Sequence, residues 1–218
     1  MDERETGSIE LAAALFHALT GEFVPHDPAL EESAHSLIAQ IQEPEKLLLK
    51  IISLCGEPAT PRGNYLCAAA YSRLGERYAD ETIRCAESYL ASSGWKELEE
   101  REWMESGISV WGADAYRASL LCALAAARET KDDLKGAYSA LLKAYALEPY
   151  RGDYMAKTAD LLAKLRGKRE AIDFVQEQRN SRYFKPVRYT DAFGRQQRNE
   201  SFRKLLELEA EKLRKAKN

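Results

Sequence analysis

Histidine is scarce in this chain of 218 residues: only His17, His26 and His35 occur, nine residues apart near one end. Metal ligation would need them to converge with Asp27, Glu31 or Glu32, and such residues most often sit at helix ends. No HExxH, P-loop, Gly-rich dinucleotide loop or nucleophile elbow is present. The paired carboxylates Glu99-Glu100 and Asp132-Asp133 lie in charge runs, whereas acid–base chemistry needs a pair held across a cleft. These absences imply a non-enzymatic protein with no metal and no cofactor.

Long apolar runs are missing as well. The longest, Leu47 to Cys55, is broken by Lys50 and Ser53 and falls far below the roughly 20 residues that span a bilayer. Met1-Asp2-Glu3-Arg4-Glu5 lacks the basic start and apolar core of a secretion signal. The four cysteines, Cys55, Cys67, Cys85 and Cys122, show no close pairing or metal-ligand spacing and fall within apolar helical patterns. Reduced, buried thiols and a cytoplasmic location away from membranes are therefore expected. Strand signals, alternating β-branched runs bounded by turn residues, are absent.

What remains is helix. Amphipathic segments are expected over 8–19, 29–42 and 45–55, punctuated by Thr20-Gly21, Pro25, Pro28, Glu43-Pro44 and Gly56. Three helical hairpins follow: 62–74 with 80–92, 113–130 with 133–147, and 152–166 with 168–179. An irregular stretch, 180–199, leads to a last amphipathic helix near 199–216. Charge is unevenly spread. The net charge is −3, yet residues 179–218 carry twelve Lys/Arg against five Asp/Glu, leaving −10 on the rest. The basic end suits an acidic partner or the acidic body of the same chain.

Two of the hairpins repeat each other at a spacing of 34 residues. Ala125 recurs as Ala159 and Ala137 as Ala171, while Leu121 pairs with Met155, Tyr138 with Ile172 and Leu141 with Val175. Small residues at two fixed points of a hairpin, flanked by large apolar ones, signal close helix crossings along a stack. The pattern resembles the tetratricopeptide repeat, a helix–turn–helix unit of this length. Copy 118–151 carries Leu121, Leu124, Ala125, Ala137, Leu141 and Ala144 and ends on Leu147-Glu148-Pro149. Copy 152–185 keeps Met155, Ala159, Leu162, Ala171, Ile172 and Val175, with Tyr183 in place of the closing proline. A weaker copy from residue 61 has Cys67, Ala68, Tyr71, Gly75 and Ile83, and an insertion separates it from the next.

The resemblance implies an all-α, right-handed solenoid of antiparallel hairpins with a C-terminal capping helix. Its parts would be 1–60, degenerate repeats or a cap; 61–185, the repeats with an insertion near 93–112; and 186–218, a basic linker and the capping helix. It also implies a non-enzymatic adaptor or scaffold whose first helices line a concave groove for a protein or peptide segment. The groove positions here are Arg62, Tyr65, Ala69, Ser72, Arg73, Ser119, Cys122, Ala126, Glu129, Asp153, Ala156, Asp160 and Lys164. Tyr65 and Ala69 stand where a carboxylate-clamping Lys and Asn would be, which argues against capture of chaperone tails. The groove could instead be filled by residues 180–199 of the same chain.

Two further surfaces stand outside the repeats. The insertion holds Trp95, Trp103 and Trp111, which read as a flap over the seam between repeats or as an interaction site. Segment 180–199 interleaves Arg182, Lys185, Arg188, Arg195 and Arg198 with Tyr183, Phe184, Tyr189 and Phe193. Packing against the acidic body explains this best. Protein contact and single-stranded nucleic acid, bound by phosphate contacts and stacking, are the alternatives, the latter as part of a regulatory helical module. The apolar stripe of the last helix suits a cap or a dimer, so oligomeric state stays open.

Overall fold

The computed structural model describes residues 3–22, 24, 26–56, 60–92, 112–149, 151–179, 187–190, 196–199 and 201–215. Ten α-helices make up most of them: α1 (Glu3–Thr20), α2 (Glu31–Ile41), α3 (Pro44–Cys55), α4 (Pro61–Leu74), α5 (Ala79–Ala91), α6 (Gly112–Thr130), α7 (Leu134–Leu147), α8 (Gly152–Arg166), α9 (Lys168–Arg179) and α10 (Ser201–Lys215). None is long and apolar enough to cross a membrane.

Local chemistry explains where these helices begin and end. Pro44 and Pro61 open α3 and α4, where a missing N–H costs nothing. Thr60 caps α4 by accepting from the Gly63 N–H at 3.1 Å, and Asp133 caps α7 by accepting from Gly136 at 2.9 Å. Gly75 (φ 95°, ψ −168°) ends α4 and Gly167 (φ 96°, ψ 164°) ends α8. That backbone region is open to glycine almost alone.

Within the stretch 180–199, expected to be irregular, the described residues instead form a two-stranded antiparallel pair, β1 (Val187–Thr190) and β2 (Gln196–Asn199). Its register pairs Val187 with Asn199, Arg188 with Arg198, Tyr189 with Gln197 and Thr190 with Gln196. Val, Tyr and Thr favour a pleated strand. Four-residue strands are too short for their alternation to stand out from the surrounding basic, aromatic composition.

The chain divides into two compact units, Met1–Asp132 and Asp133–Asn218. In the first, α1 packs on α2, α3 and α4, α3 on α4, α4 on α5, and α6 on both α5 and α4. Five consecutive residues of α1, Ala12 to Phe16, are buried, as are eight of α4, Gly63 to Ala70. A helix buried all round is a central helix, and its small residues allow neighbours to approach closely. In the second unit α7 packs on α8, α8 on α9, and α10 on both α9 and α8.

The repeat positions coincide with the cores of the two units. Ala125 (1% exposed) and Ala159 (0%) are buried, as are Ala137 and Ala171 (both 0%). Leu121, Met155, Leu141 and Val175 are buried with them. Tyr138 and Ile172 are half-buried in both copies. The 34-residue period is thus a period of burial.

Candidate protein-binding face

The first helix of the weakest copy is spent on internal contacts. Tyr65 is buried, its ring 5.3 Å edge-on from Tyr116 of α6 and 5.8 Å from Tyr89 of α5. Ala69 is buried beside it. Arg62 is half-buried and donates to the Glu10 carboxylate of α1. Arg73 pairs with Glu22, donates to the Ala69 carbonyl at 3.0 Å, and lies 4.9 Å over the Phe16 ring. Helix α1 and the residues just after it therefore hold both arginines, while Ser72 is half-buried.

On α6 the expected positions stay at the surface. Ser119, Cys122 and Glu129 are half-buried and Ala126 is exposed. Their spacing places them in one stripe along the helix. The opposite face is anchored by Leu120, Leu124 and Ala127, all buried. Arg128, beside the stripe, donates to Glu87 of α5 at 2.6 Å.

In the second unit the α8 stripe is partly engaged. Asp153 is exposed and accepts two bonds of 2.8 Å from Arg151, whose guanidinium also covers the Tyr154 ring at 4.6 Å. This pairing holds the Asp153 carboxyl below the usual range and raises Arg151. The stability it contributes is present above the ordinary aspartate range and fades as pH falls through the lowered value. Asp160 accepts from Lys212 of α10 at 2.7 and 2.9 Å, so α10 covers part of the face. Lys212 also donates to Glu209 at 3.2 Å. Burial pushes the Glu209 carboxyl above its usual range, against the pull of Lys212 and with a smaller push from Asp160. Lys164, one turn beyond Asp160, is exposed.

Trp95, Trp103, Trp111, Arg182 and Lys185 lie outside the described residues. Arg188 sits in β1, opposite Arg198.

The histidines do gather in part. The His17 and His26 rings lie 5.2 Å apart, and His26 Nε2 is 3.4 Å from Glu31. Their other contacts are to backbone: His26 Nδ1 to the Val24 carbonyl at 2.6 Å, His35 Nδ1 to that of Glu31 at 2.7 Å. They tie the α1–α2 turn, and no cluster of three or more potential ligands among the described residues is arranged for a metal ion.

Cys55, Cys67 and Cys85 are buried. Cys55 and burial push the Cys67 thiol up to about 12, against the opposing pull of Cys85 and Arg84. Each of the three lies on a different helix, and α4 packs on both α3 and α5.

No protein-family model matches the chain, and no curated protein matches it in sequence.

Proposed function

We propose that this is a tetratricopeptide-like helical-repeat protein that acts as a non-enzymatic adaptor. It binds protein segments through the surface stripe of α6 in the first unit and, separately, through that of α8 in the second. One observation carries the reading. The apolar pairs Leu121/Met155, Ala125/Ala159, Ala137/Ala171 and Leu141/Val175 are buried in both copies, while Ser119, Ala126 and Glu129 on α6 and Asp153 and Lys164 on α8 are exposed or half-buried. A helix-lined face with small and mixed-charge side chains suits an extended or helical peptide of mixed charge.

The test is a pull-down that compares wild type with the combined variant Ser119→Arg/Glu129→Lys/Lys164→Glu, with helicity checked by circular dichroism. Loss of central contacts should weaken capture by about 10-fold or more. Retention of the same partners at the same strength removes the reading. Tyr65 and Arg73 are poor probes, because their contacts are internal.

A second reading has one observation in its favour. The strand register pairs Arg188 with Arg198, and like charges at opposed positions disfavour a hairpin, so a bound anion would stabilise this one. Single-stranded nucleic acid would supply phosphates. Salt-sensitive gel-shift binding, lost in Arg188→Ala/Arg198→Ala, is the expected result. A flat titration at low salt eliminates it.

A further inference from the structure

The boundary between the two compact units is also a boundary of charge. Residues 1–132 carry 12 Lys/Arg against 23 Asp/Glu, while residues 133–218 carry 20 against 12. The first unit is therefore net −11 and the second net +8. A field of that sign draws anionic segments toward the second unit and repels cationic ones.

The α8 stripe carries the same bias in its local contacts. It alternates acid and base, Asp153, Lys157, Asp160 and Lys164, at helical spacings of four, three and four. Both acids are matched from outside the stripe. Asp153 accepts two bonds of 2.8 Å from Arg151, and Asp160 accepts bonds of 2.7 and 2.9 Å from Lys212 of α10. Glu209, a third acid 3.2 Å from Lys212, is buried. The two lysines of the stripe, Lys157 and Lys164, are exposed. Taken with Arg151 and Lys212, the stripe sets four cations against two carboxylates at the surface.

Helix geometry fixes what the two lysines can hold. They are seven residues apart, two turns along one face, so their Cα atoms are separated by about 10 Å. An extended chain covers that distance in three residues, at about 3.3 Å each. Beside them, Ala156 and Ala163 repeat the same spacing, are half-buried, and leave room for a backbone to pass. Met155, Thr158 and Leu162, buried on the other side of α8, hold the helix in place beneath the stripe. We propose, building on the reading of α8 as a binding stripe, that its segment is an acidic, extended stretch of a protein partner. Carboxylates three residues apart pair with Lys157 and Lys164. A partner of mixed charge thus places its acidic stretch on the second unit.

The test pans a display library of random dodecapeptides against the full chain. Enriched peptides are then measured, as fluorescent copies, on wild type and two variants whose helicity is checked by circular dichroism. Lys157→Gln/Lys164→Gln removes charge and keeps the shape of the stripe, whereas Ala156→Trp/Ala163→Trp blocks the path of a backbone. Wild type should enrich peptides with Asp or Glu recurring at a spacing of three. Their affinity should fall about 10-fold in the Gln variant, the worth of two exposed ion pairs, and should fall as sodium chloride rises. Peptides that ignore the Gln variant yet are lost in the Trp variant keep α8 as a binding stripe and overturn its acidic segment. Acidic residues recurring at seven instead of three mark a helical segment and overturn the extended one. Peptides that bind wild type and both variants alike, or no enrichment at all, remove the α8 stripe itself.

Discussion

Arg62, Tyr65 and Arg73 have the chemistry of binding residues and the environment of structural ones. Tyr65 shares an aromatic cluster with Tyr89 and Tyr116, so Tyr65→Ala should cost about 3–5 kcal/mol in denaturant unfolding. Arg73→Glu loses an ion pair with Glu22 and a cation–π contact with Phe16, each partly exposed, and should cost about 1–2 kcal/mol. Glu209 makes the opposite case. Its carboxyl is raised by burial, so the protonated form is the better fit to the core. That contribution is full below the ordinary carboxylate range and fades as pH rises through the raised value. Glu209→Gln should therefore melt at or above wild type at neutral pH. The advantage should shrink or reverse in acid, and a pair of melting curves at the two conditions checks it.

Among the elements, the turns and caps carry the clearest expectations. A Cβ at Gly75 or Gly167 would meet nothing within 4 Å, so any penalty at these sites comes from the backbone alone. Gly75→Ala and Gly167→Ala should each lower stability by about 1–3 kcal/mol, as read from urea midpoints. Thr60→Ala should cost about 1 kcal/mol through loss of the α4 cap. If burial follows the repeat, Ala137→Leu and Ala171→Leu should destabilise alike, by about 1–3 kcal/mol each, through overpacking. Unequal effects would mean that the two alanines do not play the same part.

For the molecule as a whole, helical spacing made the helices and their breaks legible because each depends on residues near in sequence. Pro44, Pro61, Gly75 and Gly167 act locally, and helices start or stop at each of them. The buried alanines were legible for a different reason: the 34-residue period records the same crossing twice. The strands β1 and β2 were not legible, because a four-residue pairing leaves almost no periodic trace. Nor was the fate of Arg62 and Arg73, which depends on Glu10 and Glu22 some fifty residues away. Long-range contacts thus removed the α4 positions from the candidates and left those of α6 in the first unit and of α8 in the second.

Position-specific cross-linking tests that outcome most directly. A photoreactive side chain is placed at Ala126 or Lys164 on the stripes, or at Leu49 or Leu208, exposed apolar positions on α3 and α10. Illumination in cells should join a partner protein to the chain from Ala126 and Lys164, and not from Leu49 or Leu208. Cross-links that arise only from Leu49 or Leu208, or from none of the four, would contradict the proposed binding face.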